Sequence, residues 1–318
     1  MIAAEEGWGF LNWLKQNGVQ LHPVTICILD SDGVDLDHEE FRGRVVHPHT
    51  VAGAETDPAN PFPAGQADQE QPHGTLCAGI ATATMDNQTG LAGLAGMDNL
   101  FSLMPVRVGE SLLGWASGIR YAADAGADVI SISMNPAIDW DIAGNEMDQL
   151  DEAIAYAAHE KGVVICVSSG NANRADRVEY PATHPDVIAC GAITDLSQRC
   201  QPGDWAGMPN GGSSYGAGLS VVSPGIYITT TTTTTKGRVL GYSFGFRGTS
   251  AATPHIAGLA ALLLSIDPDL RPEGVRDIIE NSARSLNGYP VDTDGWNNEI
   301  GYGLINVADA LKQVYEML

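Results

Sequence analysis

Five short apolar runs, at residues 24–29, 101–106, 129–133, 163–167 and 187–190, constrain the fold of this chain more than any other feature. A strand with one wet face alternates apolar and polar residues, whereas runs that stay apolar belong to strands covered on both faces. Between the runs lie helical patterns. Met147, Leu150, Ile154 and Ala157 recur at the spacing of one buried helix face, and residues 256–266, IAGLAALLLSI, form an apolar helix. Strands alternating with helices imply an α/β fold in three layers, a mostly parallel central sheet with helices on both faces. At 318 residues and 44% hydrophobic content the chain is long enough to bury a large core. Its motifs are scattered from residue 30 to residue 250, which argues for one domain over residues 1–318, with residues 1–22 packing on the core.

Charge excludes whole classes of partner. Asp and Glu number 39 against 16 Lys and Arg, a formal net charge of -23, so nucleic acid and anionic membranes are repelled. The apolar helix at 256–266 is too short to cross a bilayer. Cys27, Cys77, Cys166, Cys190 and Cys200 fall mostly in apolar segments; an odd count without regular spacing is no disulfide framework, although Cys190 and Cys200 are candidates to pair. No secretory signal or pro-segment is recognisable ahead of Trp8, so a mature secreted domain and an intracellular protein both remain open.

Residues 248–258, GTSAATPHIAG, place a serine at a glycine-flanked turn just before the apolar helix. Gly248 permits a tight backbone approach, and Pro254 is read into the first turn, where a missing N–H costs least. Ser250 would then face the positive end of a helix whose unpaired N–H groups can hold an oxyanion. A Gly-Thr-Ser helix cap is usually structural by itself. A nucleophilic serine also needs a histidine base and a group to orient it. His73 opens HGTLCAGIATA, a second helix of small residues, whereas His255 lies more than a turn beyond the serine and is poorly placed as its base. Upstream, the apolar run ICIL ends in Asp30, at the C-terminal end of a central strand, where an acid can orient a histidine.

The order Asp, His, Ser, with the four blocks ILDSDGVDLDH, HGTLCAGI followed by GLAGLAG, VVICVSSGNAN, and GTSAATPHIAG, resembles the subtilisin-like serine proteases, the subtilase family. The resemblance runs from about Trp8 to the last helix. It implies a subtilisin-like fold, a serine endopeptidase acting on polypeptide substrates, Ser250 as nucleophile, His73 as general base and Asp30 as its orienting acid. Asn171 would be the second oxyanion donor beside the Ser250 N–H. Relatives usually show Asp, one residue, then Gly; Asp30-Ser31-Asp32-Gly33 carries one residue more, which leaves Asp32 as the alternative acid. Cys77, four residues after His73, resembles the thiol-containing branch typified by thermitase and proteinase K.

By the same resemblance Ser133, Met134 and Asn135 line one wall of the substrate cleft, with Asn135 where relatives often carry Gly. The other wall normally follows a Gly-rich stretch after the segment matching MPVRV, of which only Gly109-Glu110-Ser111 remains here; Ser169 and Gly170 are further substrate-binding residues, and Glu179 stands at the floor of the primary specificity pocket, where a carboxylate would favour Lys or Arg. Residues 85–91, MDNQTGL, resemble the family's calcium loop, with Met85, Thr89 and Leu91 as carbonyl ligands, Asn87 through its side chain, and a carboxylate from Glu40. The resemblance also implies an inhibitory propeptide as a partner, a monomeric state, and secretion in preference to an intracellular site. The threonine run at 229–235 reads as a β-hairpin segment and has no role in this scheme. Two rival readings keep the same fold: a transpeptidase or cyclising enzyme, and a pseudoprotease that binds peptides.

Overall fold

A computed structural model describes residues 1–51, 72–97, 100–136, 144–233 and 241–318. Strands β1 (Val24–Asp30), β2 (His49–Thr50), β3 (Phe101–Arg107), β4 (Val129–Ile132), β5 (Val164–Ser168), β6 (Ile188–Ile193) and β7 (Val221–Pro224) form a seven-stranded sheet in the order β2-β3-β1-β4-β5-β6-β7. Every pairing in it is parallel. A separate antiparallel hairpin joins β8 (Ile228–Thr231) to β9 (Tyr242–Phe246). The helices are α1 (Ala4–Gln16), α2 (His73–Thr82), α3 (Leu112–Asp124), α4 (Gly144–Ala155), α5 (Thr249–Ile266), α6 (Pro272–Asn281) and α7 (Val307–Glu316).

The three layers follow from how side chains leave a strand. Successive residues point to opposite faces, so Ile26 and Ile28 of β1 join one core while Cys27 and Leu29 join the other. The first core holds α2 and α5, with α1, α6 and α7 around them; the second holds α3 and α4. The helix carrying Met147, Leu150 and Ile154 runs straight into a π-helical turn, Tyr156–Glu160, in which Ala157 stays buried. Helix α1 buries Gly7, Leu11 and Leu14, and Gly7 lies so close to Val307 that a side chain there would collide with it. The N-terminal segment is thus docked on α7.

Helix α5 is the central beam. Every residue in it except His255 is buried. Small residues let it lie close to its neighbours: at Gly258 a Cβ would sit 2.9 Å from Leu94. Long apolar side chains, among them Leu259 and Leu263, fill the spaces between; truncating either to Ala would cost roughly 2–5 kcal/mol. Among the described residues α5 is long and apolar enough to cross a membrane, but its burial inside the protein makes it a core helix.

Chain direction sets the position of the cleft. After β1 the chain goes to β3 on one side, then crosses to β4 on the other side of β1. In open parallel sheets the crevice at such a reversal, beyond the carboxyl ends of the strands, is where ligands bind. Asp30 ends β1, Ser133 follows β4, and Ser169, Gly170 and Asn171 follow β5.

Candidate active site

The histidine and its acid meet at the first residue of α2. Asp30 is 1% exposed, and its Oδ2 lies 2.7 Å from His73 Nδ1. Of the two acids left open by the additional residue, Asp30 is the one that holds the ring. The addition is absorbed in a tight turn: Ser31 donates its N–H to the Met134 sulfur at 3.2 Å, and its carbonyl accepts from Arg107 Nε at 3.0 Å. Asp32 braces the pair. Its N–H donates to Asp30 Oδ1 at 3.0 Å, and its own Oδ2 accepts the His73 N–H at 3.1 Å. Burial pushes the Asp32 carboxyl above its usual range, and the charge of Asp30 adds to the effect.

Burial works against a charged imidazole at His73, but Cys77 and the Asp30 carboxylate outweigh it and raise its pKa above that of an ordinary histidine. The ring packs edge-on against Phe246, with centroids 5.6 Å apart. His255 is excluded as a base: its Nδ1 is bonded to the Ala251 carbonyl at 3.0 Å, and burial pulls its pKa down to about 4.

Ser250 is the second residue of α5, after Gly248, whose φ of 107° suits glycine. Pro254 stands in the second turn of the helix, not the first as the sequence suggested. It therefore removes the N–H that would bond the Ser250 carbonyl four residues back. That carbonyl is satisfied from outside the helix, by the Ser133 hydroxyl at 3.1 Å and the Cys77 thiol at 3.6 Å. Cys77 Sγ also lies 3.9 Å from His73 Nδ1, so one thiol touches both the histidine and the serine backbone. The Ser250 hydroxyl donates to the Ser133 carbonyl at 2.9 Å.

Asn171 completes the arrangement. Its Oδ1 accepts the Thr249 N–H and the Thr249 hydroxyl, both at 2.9 Å. With the oxygen committed, the amide nitrogen is left to face the cleft beside Gly248. A first-turn N–H such as that of Ser250 has no acceptor inside its own helix.

Ser133, Met134 and Asn135 follow β4, and Ser169 and Gly170 follow β5, its parallel neighbour in the sheet. Asn135 ties the walls at their base, its Nδ2 donating to the Ser168 carbonyl at 3.1 Å and its Oδ1 accepting the Ser168 hydroxyl at 3.1 Å. Met134 turns its sulfur to Ser31, as described. Glu179 lies directly against Gly170, where any side chain would strike its carboxyl group. Glu179 Oε1 accepts from the Ser214 hydroxyl at 2.7 Å and the Ala172 N–H at 3.1 Å, which holds it in place.

The model of the subtilase family matches residues 22–303. The chain belongs to the subtilase family. It is 34% identical over 316 residues to a calcium-dependent protease of Trichormus variabilis, the match covering 91% of this chain and 46% of that protein. To thermitase of Thermoactinomyces vulgaris it is 35% identical over 268 residues, covering 83% of this chain and 82% of the relative. A solved protease of Pseudoalteromonas arctica shares the fold, with a TM-score of 0.74 at 21% identity, over 98% of this chain and 94% of that one. The chain spans about half the length of the first curated relatives it matches.

In this subtilase the backbone of the loop at residues 85–91 alternates in handedness. Asp86, Gln88 and Gly90 take positive φ values of 59°, 63° and 49°, so every second residue is left-handed. Glu40 is fully buried beneath the loop; its Oε1 accepts from the Leu91 N–H and the Tyr242 hydroxyl, both at 3.0 Å, and its Oε2 from Asn87 Nδ2 at 2.7 Å. Asn87 Oδ1 accepts the Thr89 N–H at 3.0 Å. A half-turn of the Asn87 amide makes the set all-oxygen, so these residues fit a hard cation.

One expectation is corrected and another met. The five cysteines are free, and Cys190 donates to the Ile188 carbonyl at 3.2 Å instead of pairing with Cys200. The threonine run enters the expected hairpin through β8; Thr234 and Thr235 lie outside the described residues. The sequence reading missed Asp32 as a brace, Ser133 and Cys77 as donors to the Ser250 carbonyl, and Tyr242 as a partner of Glu40. Apart from the short-range bond of Asp32 to Asp30, none of these has a local signal, because each contact joins segments far apart in the chain.

Proposed function

We propose that this subtilase is a serine endopeptidase with Ser250 as nucleophile, His73 as general base, Asp30 as the orienting acid, and Asn171 with the Ser250 N–H as oxyanion donors. The observation that carries the reading is the 2.7 Å contact of Asp30 Oδ2 with His73 Nδ1, made by a buried carboxylate. It fixes the ring so that Nδ1 carries the proton and Nε2 is free to accept one.

Rotation about the Ser250 Cα–Cβ bond releases the hydroxyl from the Ser133 carbonyl and turns it to His73 Nε2. Oγ then attacks the scissile carbonyl carbon while its proton passes to Nε2, and the carbonyl oxygen becomes an anion between Asn171 Nδ2 and the Ser250 N–H. Collapse of this adduct breaks the C–N bond, and the imidazolium protonates the departing amine. Water then repeats the sequence on the acyl-enzyme and frees Ser250. Asp30 stays ionised and stabilises the imidazolium. Vacating the Ser133 carbonyl gives an extended peptide an acceptor on the cleft wall, in keeping with substrate binding by strand pairing.

Two finer assignments belong to the same reading. Calcium would be held by Glu40, Asn87 and the carbonyls of Met85, Thr89 and Leu91, where it would neutralise a buried carboxylate and fix a loop built on left-handed residues; the calcium dependence named for the Trichormus relative supports this. Glu179 favours Lys or Arg on the acyl side of the scissile bond through charge pairing.

Digestion of casein and of defined Arg, Lys, Phe and Leu peptides, with Ser250→Ala as control, tests the scheme. Hydrolysis products that vanish in Ser250→Ala support it. Ligated or cyclic products would replace hydrolysis by transfer, absence of turnover would favour a peptide-binding module, and Phe cleaved as well as Arg would remove the role of Glu179.

A further inference from the structure

The threonine run has a place in the site after all. Strand β8 crosses α2 immediately behind His73, with Thr230 and Thr231 fully buried. The Thr230 hydroxyl donates to the Leu76 carbonyl and the Thr231 hydroxyl to the Thr75 carbonyl, both at 2.6 Å. These carbonyls belong to the third and fourth residues of the helix that His73 begins. Gly79 permits the approach, since a Cβ there would run into both threonine hydroxyls. The network extends further: the Thr75 hydroxyl accepts the Asp35 N–H at 2.8 Å, and the Thr233 hydroxyl donates to Asp35 Oδ2 at 3.2 Å.

A valine or isoleucine strand could bury as much surface here but would leave the helix free to roll. Consecutive carbonyls of an α-helix are separated by about 100° around its axis. Two directional bonds from one strand to consecutive carbonyls therefore fix the roll of α2 as well as its distance from the strand. Roll is what the site cannot tolerate, because it swings the His73 ring relative to Ser250, and misplacement of about 1 Å can cost 10²-fold in rate. The same hairpin touches the ring itself through Phe246 on β9. Helix α2 has no side-chain cap from its own N-cap residue, Pro72, so its start depends on outside partners.

We infer that Thr230 and Thr231 are positioning residues for the catalytic base, holding through two side-chain hydrogen bonds the rotation of the helix that presents His73 to Ser250. The inference rests on His73 acting as that base. The carbonyls of Thr75 and Leu76 keep their helical partners if the hydroxyls are lost, so folding does not depend on them as strictly as alignment does.

The test compares Thr230→Val/Thr231→Val, which keeps shape and removes both donors, with Thr230→Ser/Thr231→Ser, which keeps the donors. The expected result is kcat reduced about tenfold to a hundredfold in the valine pair, with KM within twofold of the parent, and recovery to within about threefold in the serine pair. A valine pair with kcat within twofold of the parent overturns the inference. So does a loss of kcat, KM and thermal stability together that the serine pair does not rescue, which would mark a structural role. If the valine pair fails to fold, the single variants Thr230→Val and Thr231→Val are read by the same criteria. Fluorophosphonate labelling of the parent separates the two claims: a parent unlabelled at Ser250 defeats the catalytic reading, whereas a labelled parent with an unaffected valine pair defeats only the positioning role.

Discussion

Helices α2 and α5 begin in the same way and end up with opposite electrostatics. Each presents a reactive residue in its first turn, His73 or Ser250, and neither takes a side-chain cap from its own N-cap residue. Each is capped instead by a distant residue that accepts the N–H of its first helical residue: Asp32 from His73 at 3.1 Å, and Asn171 from Thr249 at 2.9 Å. At α2 the foreign cap is a carboxylate, and in the proposed mechanism the group beside it becomes a cation during proton transfer. At α5 the cap is a neutral amide, and its free end is an N–H donor that the proposed mechanism assigns to the oxyanion. The two caps do the same structural work, so their chemical difference reports what each end of the site has to stabilise.

Exchanging those chemistries should break the comparison, and the largest effect is expected for the acid under the imidazole. Asp30→Asn should lower kcat on the order of 10⁴-fold, since the amide can hold the ring in the wrong tautomer. Steady-state kinetics on a chromogenic peptide would show it, and a loss below tenfold would mean that another group orients His73. Next comes Asn171→Asp, which keeps an acceptor for Thr249 but puts a negative charge at the oxyanion. A fall in kcat of at least about 10²-fold is expected, with little change in melting temperature; Asn171→Ala should lose a comparable factor in rate and the cap as well.

Removing the cation should act on stability before chemistry. Chelation is expected to lower the melting temperature by several degrees and to speed autolysis at residues 85–91, because Glu40 is left buried without a countercharge. Titration calorimetry would detect the rebinding of calcium, and Glu40→Gln should abolish it. A smaller effect is expected in the pH profile. His73 must be neutral to accept the Ser250 proton, and its pKa lies above the ordinary value, so kcat/KM should rise with pH through a midpoint above 6.5. Asp32→Asn preserves the acceptor but removes a charge that favours the imidazolium, so the midpoint should move to lower pH. An unmoved midpoint would reduce Asp32 to a cap alone.

Much of this arrangement was legible in the residues. The run ICIL ending in Asp30, the small-residue helices behind His73 and Ser250, and the Gly-Asn step after β5 all carry local signals of strand end, helix start and turn. Strands β2 and β7 were not read. The first is two residues long, and the second, Val221–Pro224, has too few apolar residues to stand out from its polar flanks. Position 254 was misjudged by one turn because a proline signals a helix start only when its distance from the cap is known, and the cap here is Gly248. The rotamer of the Ser250 hydroxyl, the bracing by Asp32 and the threonine bonds to α2 were beyond reach for a shared reason. Each is a hydrogen bond between segments tens of residues or more apart, and a side chain's polarity does not name its partner.

The central claim is that Ser250 is activated by a histidine whose orientation Asp30 sets. Labelling with a fluorophosphonate, followed by mass spectrometry of the intact protein and its peptides, reads that activation at the atom concerned. One adduct on Ser250 is predicted for the parent, none for Ser250→Ala, and labelling slowed by orders of magnitude for His73→Ala. An unlabelled parent, an adduct on another residue, or a rate indifferent to His73 would contradict the account.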